Sequence, residues 1–282
     1  MKLLKYIFST LLVLTVGLAS AQDLISVNDL AAISKNSDVV IVYAGAEDGY
    51  KVHITGSISV PHTMLYNNEP VRALIKPAVE MAKILGDAGV SPEKTIVVYD
   101  EGSNKYSARM YWILKYLGAP NVKVLNGNLT AWKAGRKPVT GTPTKIAPAV
   151  FTANPEAAFL SNMEETMSAN GNAGYVLVDV RKPDEYAGTA ETELRKGHIP
   201  GAINLNYELA LDAKGMYKPN EELKTLFESK GVTPDKTIIL YCETSVRAGT
   251  LFLALKGLGY PNVKVYDGAY IEWQATASNK VE

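Results

Sequence analysis

The strongest constraint on the fold of this 282-residue chain is an internal duplication. Pro120–Asn121–Val122–Lys123–Val124 recurs letter for letter as Pro261–Asn262–Val263–Lys264–Val265. Ahead of it, Val90–Ser91–Pro92–Glu93–Lys94–Thr95–Ile96–Val97–Val98–Tyr99–Asp100 aligns with Val232–Thr233–Pro234–Asp235–Lys236–Thr237–Ile238–Ile239–Leu240–Tyr241–Cys242. The turn His53–Ile54–Thr55–Gly56–Ser57–Ile58 aligns with His198–Ile199–Pro200–Gly201–Ala202–Ile203. Trp132 follows Gly127 as Trp273 follows Gly268. These anchors share an offset of about 141–145 positions, which is domain length. Two copies of that size mean a duplicated domain, not a solenoid of short repeats.

Within each copy, β-rich apolar runs alternate with segments of helical spacing. Asp38–Tyr43, Lys94–Asp100, Tyr175–Val180 and Thr237–Tyr241 read as strands; Val71–Leu85, Tyr106–Leu117 and Thr250–Lys256 read as helices. The alternation predicts an α/β fold with two domains, each a parallel sheet flanked by helices. Residues 22–137 form the first domain and 158–282 the second, with the Pro-, Thr- and Gly-rich stretch 138–157 as linker. The first 21 residues read as a signal peptide. Lys2 and Lys5 precede an apolar run from Ile7 to Leu18, and Ala19–Ser20–Ala21 supplies a cleavage site. The expected product is exported, periplasmic or secreted, begins near Gln22 and has no membrane span in its mature form.

Charge excludes some partners. Lys+Arg and Asp+Glu both number 29, so the balance offers no argument for nucleic acid or an acidic surface. One cysteine and three dispersed histidines, His53, His62 and His198, lack the spacing of metal ligands. No phosphate-binding glycine loop or dinucleotide fingerprint is present, so no metal and no cofactor are expected.

Chemistry concentrates at Cys242. In a parallel sheet, loops at the carboxyl ends of strands carry ligands, and Cys242 closes such a strand just before a helix. A lone cysteine in an exported protein forms no internal disulfide; it is reactive, intermolecular or inert. The loop Cys242–Glu243–Thr244–Ser245–Val246–Arg247 would point backbone N–H groups at an anion, which favours a thiolate. Arg247 either orients the loop and binds an anionic donor, or forms an ion pair with Glu185 or Asp179. Arg181 follows a strand end and could reach the mouth of the site; Arg195 is a further cation. Asp179 is expected to accept hydrogen bonds that fix loop or arginine geometry. His198 belongs to a turn motif and is expected to be structural, not a base.

Those residues carry a family resemblance. Asp179–Val180–Arg181 with Glu185–Tyr186, Gly197–His198–Ile199–Pro200–Gly201–Ala202–Ile203–Asn204, the loop from Cys242 to Arg247, and Gly268 with Trp273 resemble, in order and spacing, the tandem rhodaneses (thiosulfate/3-mercaptopyruvate sulfurtransferases). The resemblance spans roughly Leu24 to Ala277. It implies two rhodanese-like domains and a sulfurtransferase in which Cys242 takes a sulfane sulfur as a persulfide. The donor would be thiosulfate or 3-mercaptopyruvate, and the acceptor a small thiol or cyanide. It also implies that the first copy is silent, because Asp100 stands where the second copy has Cys242 and cannot form a persulfide. The loop after Asp100 is longer by about one residue, judged from the repeat offset.

Two departures bear on the donor. Relatives that use thiosulfate place basic residues after the cysteine, and those that use 3-mercaptopyruvate place small neutral ones; Glu243, Thr244 and Ser245 match neither. Some relatives also carry a donor-binding arginine where Glu185 stands. A carboxylate at Glu243 would repel a dianionic donor unless its side chain turns away. Two other functions compete: a cysteine phosphatase or arsenate reductase, and a non-catalytic sulfur-carrier or binding module. Rhodanese-fold phosphatases place five residues between cysteine and arginine, whereas four lie between Cys242 and Arg247, a loop sized for one sulfur.

Overall fold

The structure, a computed structural model, describes residues 23–282, so the predicted signal peptide lies outside the described residues. The first copy runs β1 (Leu24–Ile25), α1 (Val27–Ile33), β2 (Val39–Tyr43), β3 (His53–Ile54), β4 (Ile58–Ser59), β5 (Tyr66–Asn67), β6 (Leu74–Ile75), α2 (Ala78–Asp87), β7 (Thr95–Tyr99), α3 (Lys105–Tyr116), β8 (Val122–Leu125), α4 (Asn128–Ala134) and β9 (Val139–Thr140). The second runs β10 (Leu160–Ser161), α5 (Met163–Ala169), β11 (Tyr175–Asp179), α6 (Pro183–Tyr186), β12 (Ile203–Asn204), α7 (Asn220–Glu228), β13 (Thr237–Tyr241), α8 (Ala248–Gly257), β14 (Val263–Tyr266) and α9 (Ala269–Ala275).

The repeated sequence becomes a repeated topology. One parallel sheet has the order β1-β8-β7-β2-β4 and the other β10-β14-β13-β11-β12, so corresponding strands occupy corresponding places. The central strands are continuous apolar runs because helices cover both faces. Ile238, Ile239, Leu240 and Tyr241 of β13 are all buried, as are their counterparts Ile96 to Tyr99 in β7. Between the ends of these strands and the ends of the helices that follow, the offset between copies falls from 142 (Tyr99 and Tyr241) to 141 (the helix C-caps Leu117 and Leu258). The extra residue lies in the helix: the loop itself runs over five residues, 100–104, before the 12-residue α3, against six, 242–247, before the 10-residue α8, which corrects the expectation of a longer loop in the first copy.

One further local expectation needs correcting. The helix read from Val71 to Leu85 begins only at Ala78, because Pro77 disfavours helical backbone at Lys76 and takes the N-cap itself. The residues before it form β6, which pairs antiparallel with β5. The stretch expected to be a linker is tied along the first copy. Its β9 pairs with β3, and the N–H groups of Ala149 and Asn154 donate to Gly86 O and Leu117 O at 2.9 Å each.

The copies pack through α3 and α8. Trp112 and Ile113 of α3 share one apolar core with Leu251, Phe252 and Leu255 of α8. The helices approach closely at Gly249, where a Cβ would lie 2.6 Å from the carbonyl carbon and oxygen of Ala108. Each helix begins just beyond the carboxyl end of its central strand. Packing α3 on α8 therefore brings the loop after Asp100 and the loop after Cys242 to one interface.

Candidate active site

Cys242 is the first residue beyond β13 and is only 1% exposed. The loop it opens is held from outside. Tyr270 N and Ile271 N of α9 donate to the carbonyls of Cys242 and Glu243, both at 3.0 Å. Ser245 adopts a left-handed conformation (φ 56°), uncommon for a residue with a side chain, and its hydroxyl donates to the Tyr266 carbonyl. With loop carbonyls engaged outward, the backbone N–H groups of Glu243 to Arg247 donate to no group among the described residues. A run of unengaged N–H groups at the start of a helix is an anion cradle.

The first copy shows the same cradle filled. Asp100 is fully buried, and its carboxylate accepts the N–H groups of Gly102 (2.7 Å), Asn104 (3.3 Å), Tyr106 (3.2 Å) and Ser107 (3.1 Å). The hydroxyls of Ser103 and Ser107 add two more donors. Burial pushes the Asp100 pKa up, while hydrogen bonds from Gly102, Ser107 and Ser103 pull the other way. A protein carboxylate thus satisfies the loop of the first copy, whereas the loop of the second has no protein acceptor among the described residues.

A cleft of about 700 Å³ lies between the copies at these loops. Glu243, Thr244, Val246 and Arg247 line it, joined by Glu185, Tyr207, Glu208 and Lys182 from the second copy. From the first come His62, Thr63, Tyr66, Arg72, Lys105 and Tyr106, with Ala46, Asn68 and Ala73. Cys242 and Ser245, in the same loop as Glu243, are buried and do not line the cleft. Arg247 makes a two-pronged ion pair with Glu185, Nη1 to Oε2 at 2.6 Å and Nη2 to Oε1 at 2.8 Å. Burial opposes the Arg247 charge, but the Glu185 hydrogen bond and the neighbouring Cys242 raise its pKa above the ordinary value. Burial likewise works against the Glu185 carboxylate, yet Arg247 brings its pKa below the usual range. Of the two readings of Arg247 the ion pair with Glu185 is present, and the residue also lines the cleft. Tyr207 stands nearby, its pKa pushed up to about 12 by burial and by Glu208.

Glu243 does not stand alone at the mouth. Its carboxylate pairs with Arg72 of the first copy, across 171 positions of sequence. Beneath that rim lies a buried ion pair between the copies. Arg109 Nη2 reaches Asp267 Oδ1 at 2.6 Å and Ala73 O at 2.9 Å, and Nη1 approaches Ser245 O at 3.4 Å. Asp267 also accepts the Ile75 N–H at 2.8 Å. Arg72, Arg109 and Asp267 were not singled out from the sequence. One signal was available: Arg109 falls inside Ser107–Leu114, a helix stretch otherwise devoid of charge and buried throughout.

The remaining candidates lie elsewhere. Arg181 does not line the cleft, which corrects the expectation that it reaches the mouth. Its guanidinium grips Asp179 (Nη2 to Oδ2 2.6 Å), donates to Gly197 O at 2.8 Å and sits 4.0 Å over the Tyr270 ring. Asp179 thereby fixes an arginine, but Arg181 and not Arg247. His198 stacks on Tyr186 at 3.7 Å and bonds to Tyr186 O through Nδ1 at 3.0 Å, away from the cleft. Arg195 donates to Asn279 O at 2.9 Å and is likewise absent from the lining. Among the described residues no cluster of three or more His, Cys, Asp or Glu could hold a metal. Nor is any of their helices long and apolar enough to cross a membrane.

The rhodanese-like domain model matches the chain twice, over residues 26–135 and 162–276. The chain belongs to the rhodanese family. A thiosulfate sulfurtransferase of Pseudomonas aeruginosa is similar to this rhodanese at 33% identity, over 82% of this chain and 85% of the relative. A sulfur carrier protein, TtuD, of Thermus thermophilus is also 33% identical, over 78% of this chain and 82% of the relative. The anaerobic ergothioneine biosynthesis enzyme of Chlorobium limicola shares the fold, with a TM-score of 0.85 at 23% identity over 93% of this rhodanese and 70% of that chain. Both rhodanese-like copies are α/β units built on a parallel sheet, as the sequence pattern predicted.

Proposed function

We propose that this rhodanese is an exported sulfurtransferase that carries sulfane sulfur on Cys242. In the first half-reaction the Cys242 thiolate attacks the outer sulfur of thiosulfate. A Cys242 S–S bond forms, the thiosulfate S–S bond breaks, and sulfite leaves with the electron pair. In the second half, cyanide or a thiolate attacks the terminal sulfur and Cys242 departs as thiolate. The attacking species in this step is the thiolate, so the transfer itself involves no general base. One observation carries this reading: the loop N–H groups that converge on the Asp100 carboxylate in the first copy have, beside Cys242 in the second, no protein acceptor among the described residues. The same donors would stabilise first the thiolate and then the terminal sulfur of the persulfide.

Arg247 acts here as a fixed positive wall beside the loop, held by Glu185. Thr244 and Val246 shape the approach, and the left-handed turn at Ser245 sets the curvature of the loop. With Arg72 on its carboxylate, Glu243 presents a neutralised pair to an incoming anion. The sulfur-carrier name of the Thermus relative favours a second version of the same chemistry, in which a protein thiol receives the sulfur. Intact-mass analysis after exposure to thiosulfate tests the proposal. The expected result is a gain of one sulfur atom on Cys242, discharged by cyanide. Absence of the adduct with thiosulfate and with 3-mercaptopyruvate would overturn it. Phosphatase turnover comparable to sulfur transfer would favour the oxyanion-hydrolase alternative instead.

A further inference from the structure

We propose, building on the sulfurtransferase reading, that the silent first copy supplies the oxyanion subsite of the cleft. In this site Lys105, with His62 behind it, holds the charged end of a small sulfur donor opposite the Cys242 loop. The charges that line the cleft point to this residue. Arg247 is paired with Glu185 and Arg72 with Glu243. Lys105 and Lys182 are the two lining cations that no carboxylate pairs among the described residues. Lys182 is exposed on the rim, whereas Lys105 is half-buried, with its Nζ 4.9 Å from the centroid of the Tyr106 ring. A half-buried ammonium is less screened by water and salt than one on the rim.

His62 is the second, independent observation. It lines the same cleft, is 4% exposed and stacks on Tyr106 with ring centroids 4.3 Å apart. Its Nδ1 is buried without a hydrogen-bond partner among the described residues. Buried polar nitrogens are normally satisfied, so an orphan nitrogen on a side chain of the cleft wall leaves the ring one hydrogen bond short of its normal complement. Burial, aided by the positive charges of Arg109 and Lys105, lowers the His62 pKa to about 4, so the ring is neutral at pH 7. A neutral imidazole beside an ammonium offers one N–H and one charge. That pair suits a group with several acceptor oxygens, either the sulfonate end of thiosulfate or the carboxylate of 3-mercaptopyruvate. Lys105 is in this sense a donor-positioning residue, and the first copy is silent in chemistry but not in recognition.

Equilibrium binding to Cys242→Ser protein, which cannot react, separates this proposal from the sulfurtransferase reading. Thiosulfate is the probe, and 3-mercaptopyruvate is a second arm that tells sulfonate from carboxylate recognition. Lys105→Ala in that background is expected to weaken binding of at least one probe about tenfold at low ionic strength. Lys105→Arg should retain most of the affinity, and Lys182→Ala should change it less than twofold. In reactive protein, Lys105→Ala should raise KM with kcat nearly preserved, and added salt should shrink the difference. Unchanged affinity for both probes in Lys105→Ala, an equal loss in Lys182→Ala, or no binding of either probe by the Cys242→Ser protein would overturn the proposal. Each of these outcomes is independent of whether Cys242 accepts sulfur. If binding depends on Lys105 but no persulfide forms, the subsite stands and the transfer reading falls.

Discussion

Replacing Arg109 with alanine probes whether the two copies stand as one unit. The guanidinium is fully buried and bonds to Asp267 at 2.6 Å and to the Ala73 carbonyl at 2.9 Å, with a weaker approach to Ser245 O at 3.4 Å. Alanine removes the cation and leaves the Asp267 carboxylate, 3% exposed, with the Ile75 N–H as its remaining donor. Deleting one member of a buried ion pair costs about 3–5 kcal/mol, chiefly because the survivor is left charged and dry. The Ala73 carbonyl also loses its donor, so we expect about 4 kcal/mol, a large fraction of the roughly 5–15 kcal/mol by which a typical native protein is stable. Urea unfolding of wild type, Arg109→Ala, Asp267→Asn and the double variant Arg109→Met/Asp267→Leu measures it. The double variant exchanges the pair for apolar volume and should recover more than half of the loss, since such exchanges are often neutral. A loss below about 1 kcal/mol for Arg109→Ala, or a double variant no better than the single, would refute the assignment of this pair as a buried brace.

Four further outcomes are expected. Cys242→Ser should abolish sulfur transfer while circular dichroism and the unfolding midpoint stay close to wild type; retained transfer would displace Cys242 as nucleophile. Asp100→Ala should spare the transfer rate but lower stability by about 2–4 kcal/mol, because four N–H groups and two hydroxyls lose an anionic acceptor. Gly249→Val should destabilise strongly by forcing α8 off α3, since even a Cβ meets Ala108 at 2.6 Å; a midpoint within error of wild type would contradict the close approach. Finally, His62 resists protonation down to about pH 4 when folded, but the unfolded chain takes up that proton near pH 6.5. Its stabilisation is therefore complete above pH 6.5 and falls as pH drops toward 4, by about 2 kcal/mol at pH 5. His62→Phe should remove that share of the acid loss, and an identical acid limb in wild type and variant would argue against it.

Much of the fold was legible because it is written in local pattern. Apolar runs buried on both faces mark parallel strands wherever they occur. The repeat doubled each observation, so β7 could be checked against β13 and α3 against α8. Where local pattern misled, a backbone rule intervened: the periodicity from Val71 onward looked helical, but Pro77 delayed α2 to Ala78. The loop that Cys242 opens was equally readable, because strand end, cysteine and helix start are consecutive in the chain. Arg181 was misplaced for a related reason. It follows a strand end in sequence, yet Asp179, two residues earlier, takes its guanidinium and turns it away from the mouth.

The chain order alone, then, settles the duplication, the α/β class, the lone cysteine at a strand terminus and the aspartate in its place in the other copy. It could not reveal who faces whom across the cleft. Arg72 meets Glu243 across 171 positions and Arg109 meets Asp267 across 158, and neither pair follows from any spacing rule. Such meetings depend on how α3 seats on α8. That seating is set by side-chain volume at one close crossing, Gly249 against Ala108, and not by any repeat or period. The same packing turns Glu243 from an obstacle into half of an ion pair, and makes the first copy a wall of the cleft.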